Sequence, residues 1–225
     1  MKYVYIVAAA GIGKRVGLNY PKQFFEFAGK PVFIHTLQKI DANEYVDEII
    51  VVTKKEDIGK VSDCCKKFNI SKLTQVVEGG KERQDSIYNA LKHVYEDSII
   101  GVQDGVRPFI EDRYITHSYK ELMDNSKIDG VVVAVPTKDT IKIVGKDDII
   151  ESTPIRKKLY FAQTPQVFRG RILKKAYDLA SQEGYIGTDD SSLVERIGKK
   201  VKIIKGSYEN FKITTPEDLK KLVTV

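Results

Sequence analysis

Short runs of β-branched and aliphatic residues recur along the chain, at residues 3–7, 48–52, 73–77, 98–102 and 130–135. A run apolar on both faces is what a parallel strand needs when helices cover both sides of its sheet. Between these runs, residues 31–41, 56–68, 82–95 and 112–125 place apolar side chains at helical spacing, as with Ile87, Ala90, Leu91 and Val94. Strand and helix in alternation specify βαβ units. The fold class predicted is α/β, a Rossmann-like domain with a mostly parallel central sheet. Ligands in such a sheet bind beyond the carboxyl ends of the strands.

The alternation breaks after Pro136. Residues 137–144 and 149–152 alternate polar and apolar positions on either side of Gly145-Lys146-Asp147-Asp148, which predicts a hairpin with no helix to cover it. Residues 137–152 are therefore expected to project as an arm that buries its apolar face on something else, a second subunit being the natural candidate. After the arm the pattern predicts a loop at 163–168, a helix near 171–181, a helix from Asp190, a strand at 201–204 and a closing helix after Pro216. Neither a repeat nor a linker interrupts the chain, so its 225 residues are read as a single domain carrying one arm.

Composition narrows the function classes. With 42% hydrophobic and 30% charged residues the chain is neither disordered, collagenous nor membrane-spanning. A net charge of +6 favours an anionic partner, for which a phosphorylated metabolite suffices. An RNA-binding module would also be basic, but here Lys and Arg are scattered among acids rather than gathered into a stripe with aromatic stacking positions. Neither nucleic acid nor membrane is expected as a partner. Cys64 and Cys65 are neighbours in sequence, and they read as the buried and half-buried thiols of a helix. Lys2, the apolar run 3–7 and Ala8-Ala9-Ala10 also match a short signal peptide. The glycines and basic residues that follow directly fit a strand entering a functional loop better, and the expected location is the cytoplasm.

Three loops at predicted strand ends carry the chemistry. Gly11-Ile12-Gly13-Lys14-Arg15 lacks the third glycine of the dinucleotide fingerprint, because Val16 stands there, and no Walker pattern is present. It reads either as a backbone cradle for an anion, with Lys14, Arg15 and Lys22 adding charge, or as a tight turn with solvated basic residues. Asp104-Gly105-Val106-Arg107-Pro108 sets an acid able to hold a metal beside an arginine able to hold a phosphate, or a helix cap beside a surface ion pair. Residues 78–86 close another strand with Gly79-Gly80 and open a helix. Three such loops on one edge describe a nucleotide site better than three coincidental turns.

These segments resemble, over essentially the whole chain, the bacterial 2-C-methyl-D-erythritol 4-phosphate cytidylyltransferases of the non-mevalonate isoprenoid pathway. The family pattern A-A-G-x-G-x-R then P-K-Q is present as residues 9–15 and Pro21-Lys22-Gln23. Residues 79–86 match G-G-x-x-R-x-x-S, and residues 104–108 match D-x-x-R-P. Asp139-Thr140-Ile141-Lys142, Arg156, Gln163-Thr164-Pro165-Gln166, Thr188-Asp189-Asp190 and Asn210-Phe211-Lys212-Ile213-Thr214 match its remaining signatures. Gln103 and Phe211 depart from the His and Ile usual at those positions.

The resemblance implies a nucleotidyltransferase domain and the transfer of a cytidylyl group from CTP to methylerythritol phosphate. It implies that Ala9, Ala10, Gly11, Gly13, Gly80, Arg83 and Ser86 bind CTP. Arg15, Lys22, Lys212 and Asp104 are the implied catalytic residues, with Mg²⁺ held mostly by the CTP phosphates and Asp104 the candidate protein ligand. Arg107, Thr140, Arg156, Thr164 and Thr188 would hold the alditol phosphate, Thr140 and Arg156 coming from the partner of a homodimer with exchanged arms. The related ribitol-5-phosphate cytidylyltransferases usually show A-G-G in the first loop and Thr in place of Ser86, so Ala9-Ala10-Gly11 and Ser86 favour the erythritol substrate. A phosphate monoester is largely dianionic at neutral pH, so it attacks without a protein nucleophile, and His35, His93 and His117 read as surface or packing residues.

Overall fold

The computed structural model describes residues 1–11 and 19–223. Eleven strands appear among them: β1 (Tyr3–Ala8), β2 (Glu26–Phe27), β3 (Lys30–Pro31), β4 (Glu48–Thr53), β5 (Leu73–Glu78), β6 (Ile99–Asp104), β7 (Gly130–Pro136), β8 (Ile143–Val144), β9 (Ile150–Ser152), β10 (Tyr160–Arg169) and β11 (Val201–Lys205). The helices are α1 (Val32–Asp41), α2 (Ile58–Lys67), α3 (Arg83–Leu91), α4 (Asp112–Asp124), α5 (Gly170–Glu183), α6 (Asp190–Arg196) and α7 (Pro216–Val223). None of the described helices is long and apolar enough to cross a membrane.

Seven strands form the central sheet in the order β11-β7-β10-β6-β1-β4-β5. All neighbours pair in parallel except β10, which runs antiparallel between β6 and β7. The period of two along each strand divides the apolar residues between the faces. Tyr3, Tyr5, Val7, Ile49 and Val51 pack with α1, α2 and α4 on one side. Val4, Ile6, Ile50, Val52 and Val102 pack with α3, α5 and α6 on the other. The run at residues 3–7 is thus a buried strand inside the sheet, as the reading against a signal peptide expects. Cys65 lies in the first core, where burial pushes its thiol up to about 12; Cys64 beside it is partly covered and also raised, so neither is an active thiolate.

Three expectations are corrected. The predicted loop at 163–168 is the middle of β10, whose pairing with β7 shifts register between Ala162 and Gln166. Polar Gln163, Thr164 and Gln166 do not look like strand residues, yet all three are buried because partners distant in sequence take up their hydrogen bonds. The arm is a hairpin, but its ladder is only β8 with β9, and residues 137–142 run outside any strand. In addition β5 is an edge strand with exposed and half-buried side chains, not one buried on both faces.

Candidate active site

The loops after β1, β5 and β6 meet at one edge of the sheet because those strands are parallel. Close backbone approach holds them together. The Gly105 N–H donates to the Ala8 carbonyl at 2.9 Å, and a Cβ on Gly105 would lie 3.1 Å from that oxygen. Gly79 is packed so that a Cβ would stand 2.8 Å from Ser86 Oγ and 3.0 Å from the Ala10 methyl, and Gly80 would clash with Asp85 Cβ at 2.2 Å. The two glycines are therefore required by packing. The Ser86 hydroxyl accepts from the Gly80 N–H and donates to the Glu82 carbonyl, both at 3.0 Å, while Glu82 and Asp85 form a capping box at the start of α3. Gln23 donates to the Ala9 carbonyl at 2.7 Å and Thr53 to the same oxygen at 3.3 Å, which fixes the end of β1.

These loops surround a cavity of about 450 Å³, a volume suited to a nucleotide-sized ligand. Among the described residues its lining includes Ala8, Ala10, Gly11, Lys22, Gly80, Arg83, Ser86, Asp104 and Lys212. At its floor Asp104, 5% exposed, ends β6. Three cations from three segments converge on its carboxylate: Arg83 Nε on Oδ1 at 3.2 Å, and Lys212 Nζ and Arg107 Nε on Oδ2 at 3.0 and 3.4 Å. Burial alone would raise the Asp104 carboxyl, but Arg83, Lys212 and Arg107 outweigh it and hold the group well below the usual carboxylate range. Even with Asp190 counted beside Asp104, two carboxylates face Lys22, Arg83, Arg107 and Lys212, which leaves surplus positive charge, and such a pocket attracts a phosphorylated ligand.

Arg83 and Arg107 are each held by a further contact, and the segment carrying Lys212 is braced. Arg83 Nη2 lies 2.8 Å from Asp190 Oδ2, and Asp190, fully buried, also accepts the hydroxyl of Tyr177. Burial opposes the charge of Arg83, but Asp190 and Asp104 raise its pKa well above the ordinary value. Arg107 donates through Nη1 to the Asn210 carbonyl at 2.7 Å; burial draws its pKa down against the pull of Asp104. Lys22 Nζ donates to the Ile213 carbonyl at 2.7 Å, so two cations grip the segment that carries Lys212. A third apolar cluster of Val32, Val106, Ile213 and Leu222, with Phe27, Phe109 and Phe211 packed on it, supports that segment from behind. Phe211, which departs from the family pattern, is accommodated by a tilted ring contact with Phe109, centroids 5.4 Å apart.

The structure gathers Ala9, Ala10, Gly11, Lys22, Gly80, Arg83, Ser86, Asp104, Arg107, Thr164 and Lys212 at this edge. Thr164 Oγ1 accepts the Asp104 backbone N–H at 3.1 Å. Gly13 and Arg15 lie outside the described residues, with Ile12, Lys14 and Val16. Thr140 and Arg156 stand exposed on the arm, Arg156 donating to the Lys138 carbonyl at 3.1 Å, and Thr188 is exposed on the segment before α6. Histidine does not enter the site: His35, for one, bonds the Phe27 carbonyl at 2.8 Å. Sequence reading assigned no role to Asp190, Tyr177, Asn210 or Gln23. Gln23, Asp190 and Asn210 fall inside the matched signatures, but the partners lie 13 to 107 positions away and spacing does not identify them.

Among the described residues, no three His, Cys, Asp or Glu side chains gather as a metal centre would require. Asp104 offers a single carboxylate amid cations. That donor set fits a Mg²⁺ arriving on a phosphorylated ligand, which keeps phosphate and water oxygens and takes one protein carboxylate, not an ion caged by the protein.

A cradle of glycine loops and cations at the carboxyl edge of a mostly parallel sheet defines an α/β protein built to bind a phosphorylated ligand. The model of the family "2-C-methyl-D-erythritol 4-phosphate cytidylyltransferase" matches residues 3–223. A curated protein of that name from Fusobacterium nucleatum is 46% identical over 222 residues, covering 98% of this chain and 95% of its own length. Another from Geotalea uraniireducens is 43% identical, with 97% and 94% covered. The crystal structure of 4-diphosphocytidyl-2C-methyl-D-erythritol synthase from Anaerococcus prevotii superposes with a TM-score of 0.87 at 32% identity, covering 99% of this chain and 95% of that one. The chain belongs to the 2-C-methyl-D-erythritol 4-phosphate cytidylyltransferase family.

Proposed function

We propose that this protein is the cytidylyltransferase that joins CTP and 2-C-methyl-D-erythritol 4-phosphate to give 4-diphosphocytidyl-2-C-methyl-D-erythritol and pyrophosphate in the non-mevalonate isoprenoid pathway. The observation that carries the reading is the convergence of Arg83, Arg107 and Lys212 on buried Asp104 within the glycine-loop cavity. A dianionic phosphate oxygen of the alditol phosphate attacks the α-phosphorus of CTP, forming the new P–O bond as the bond to the β-phosphate oxygen breaks. Repulsion between two anions is the main obstacle, and fixed cations around the transferring phosphorus reduce it. Lys22 and Lys212, now on a carbonyl and a carboxylate, exchange those partners for phosphate oxygens, joined by Arg15. Ala9, Ala10, Gly11 and Gly80 leave backbone groups to read the pyrimidine, with Gly13, Arg83 and Ser86 completing the CTP side. A Mg²⁺ bound to the CTP phosphates and to Asp104 would neutralise charge at the reacting centre.

Arg107, Thr164 and Thr188 bind the alditol phosphate from within the chain. Thr140 and Arg156 act from the arm of a second subunit, in a homodimer with exchanged arms. Ile143, Val144, Ile149 and Ile150, between 48% and 66% exposed, supply the apolar surface such a dimer would cover. The direct test is pyrophosphate release with CTP, Mg²⁺ and each alditol phosphate in turn. Methylerythritol phosphate should be favoured over ribitol phosphate by about 10⁴-fold or more, because a site that hydrogen-bonds particular hydroxyls rejects analogues that leave those bonds unmade. Comparable turnover of ribitol phosphate would overturn the substrate assignment.

A further inference from the structure

The segment between α5 and α6 carries Thr188, and several local devices fix it. Gly184 ends α5 in the left-handed region at φ 63°, which its missing Cβ permits, and the Tyr185 N–H then returns to the Ala180 carbonyl at 2.9 Å. Gly187 packs so tightly that a Cβ there would stand 2.6 Å from Leu193 Cδ2. Asp189 caps α6 through the Ser192 N–H at 2.9 Å. Further restraints come from distant parts of the chain: Gln166 Nε2 donates to Asp189 Oδ2 at 2.8 Å, and its Oε1 accepts the Ser191 N–H at 2.9 Å. The Gln84 side chain donates through Nε2 to the Tyr185 carbonyl and accepts the Gly187 N–H at Oε1, both at 2.9 Å.

Gln84 occupies an unspecified position of the G-G-x-x-R-x-x-S signature and is not among the residues lining the main cavity. Its neighbour Arg83 reaches Asp190. Two consecutive residues at the start of α3, the helix that opens from the CTP loop, therefore hold the segment on both sides of Thr188. We propose that Gln84 is a positioning residue for the second substrate: it sets Thr188 at a fixed distance from the nucleotide loop and so aligns the attacking phosphate with the α-phosphorus. This rests on the reading of Thr188 as an alditol-phosphate contact.

Gln84→Met keeps the bulk of the side chain and removes both hydrogen bonds. At saturating CTP it should raise KM for methylerythritol phosphate about 5- to 10-fold, the scale of one or two net hydrogen bonds. CTP affinity, measured by calorimetry on the same protein, should stay within about twofold. The double variant with Thr188→Ala should lose no more than about twofold beyond Thr188→Ala alone, since Gln84 acts through Thr188. An equal loss of affinity for both substrates, or losses that multiply, would overturn the proposal in favour of a general structural role. Thr188→Ala without effect on KM would overturn the reading of Thr188 and the proposal with it. A raised KM in Thr188→Ala alongside a silent Gln84→Met would overturn the proposal alone.

Discussion

The carboxyl edge of the sheet and the arm are built by opposite means. At the edge, Asp104 is buried and receives cations from α3, from the loop after β6 and from the C-terminal segment, each of them held again by Asp190, Asn210 or a shared apolar cluster. In the arm, strands of two and three residues make one short ladder, and Ile149 and Ile150 stand 66% and 56% exposed. Geometry set before a ligand arrives is what electrostatic catalysis needs, because dipoles and charges that are already oriented cost no reorganisation during reaction. A lone hairpin of this size is marginal in water without a covering surface. The contrast fits a site of which one half is preformed within the chain and the other half is proposed to be completed by a partner.

Removing a charge proposed to face the CTP phosphates should have the largest effect. Lys212→Ala and Arg15→Ala should each lower kcat by about 10²–10³-fold with little change in KM for CTP, because their charge is proposed to matter most as negative charge develops around the α-phosphorus. Steady-state pyrophosphate release checks this, and a near-normal kcat would remove that residue from the mechanism. Asp104→Asn should cost about 3 kcal/mol in urea unfolding, since Arg83, Arg107 and Lys212 would be left crowded without their shared counter-charge. Its Mg²⁺ dependence should weaken as well.

The pH dependence has a definite sign. The folded-state pKa of Asp104 is depressed, so its stabilisation is complete above the unfolded value of about 3.9 and is lost as pH falls through the folded value. The stability gap between wild type and Asp104→Asn should thus be flat above about pH 5 and narrow only in stronger acid. In the arm, Ile150→Glu should leave thermal stability of the isolated subunit within about 0.5 kcal/mol, as for other exposed positions, while weakening self-association seen by sedimentation. A modest loss of stability is expected from Phe211→Ile, which trims the third apolar cluster by less than about 1.5 kcal/mol and should leave kcat unchanged.

The strands and helices that bury regular apolar faces were legible from pattern alone, and so were the loops that build the cavity, because glycines and charges at strand ends are visible in sequence. What was not legible depended on long-range polar pairing. Gln163, Thr164 and Gln166 read as a loop, yet Asn210, the Asp104 N–H and Asp189 satisfy them inside β10. Arg83 could be placed near a nucleotide, but its clamp by Asp190 spans 107 positions and leaves no local signal. The arm was visible as a hairpin by its alternation, but not the brevity of its ladder. Alternation marks a face to be covered without saying how far the strands pair.

The proposed division of the site between two chains is tested most directly by complementation. Lys212→Ala and Arg156→Ala homodimers should each be nearly inactive. In a mixed dimer one site combines an intact Lys212 with an intact Arg156 from the partner's arm, and the other site carries both defects. Random co-refolding gives about half mixed dimers with one good site in two, so about a quarter of wild-type activity per subunit should return. No recovery, with mixed dimers shown to have formed, would contradict the account and place Arg156 at the site of its own chain.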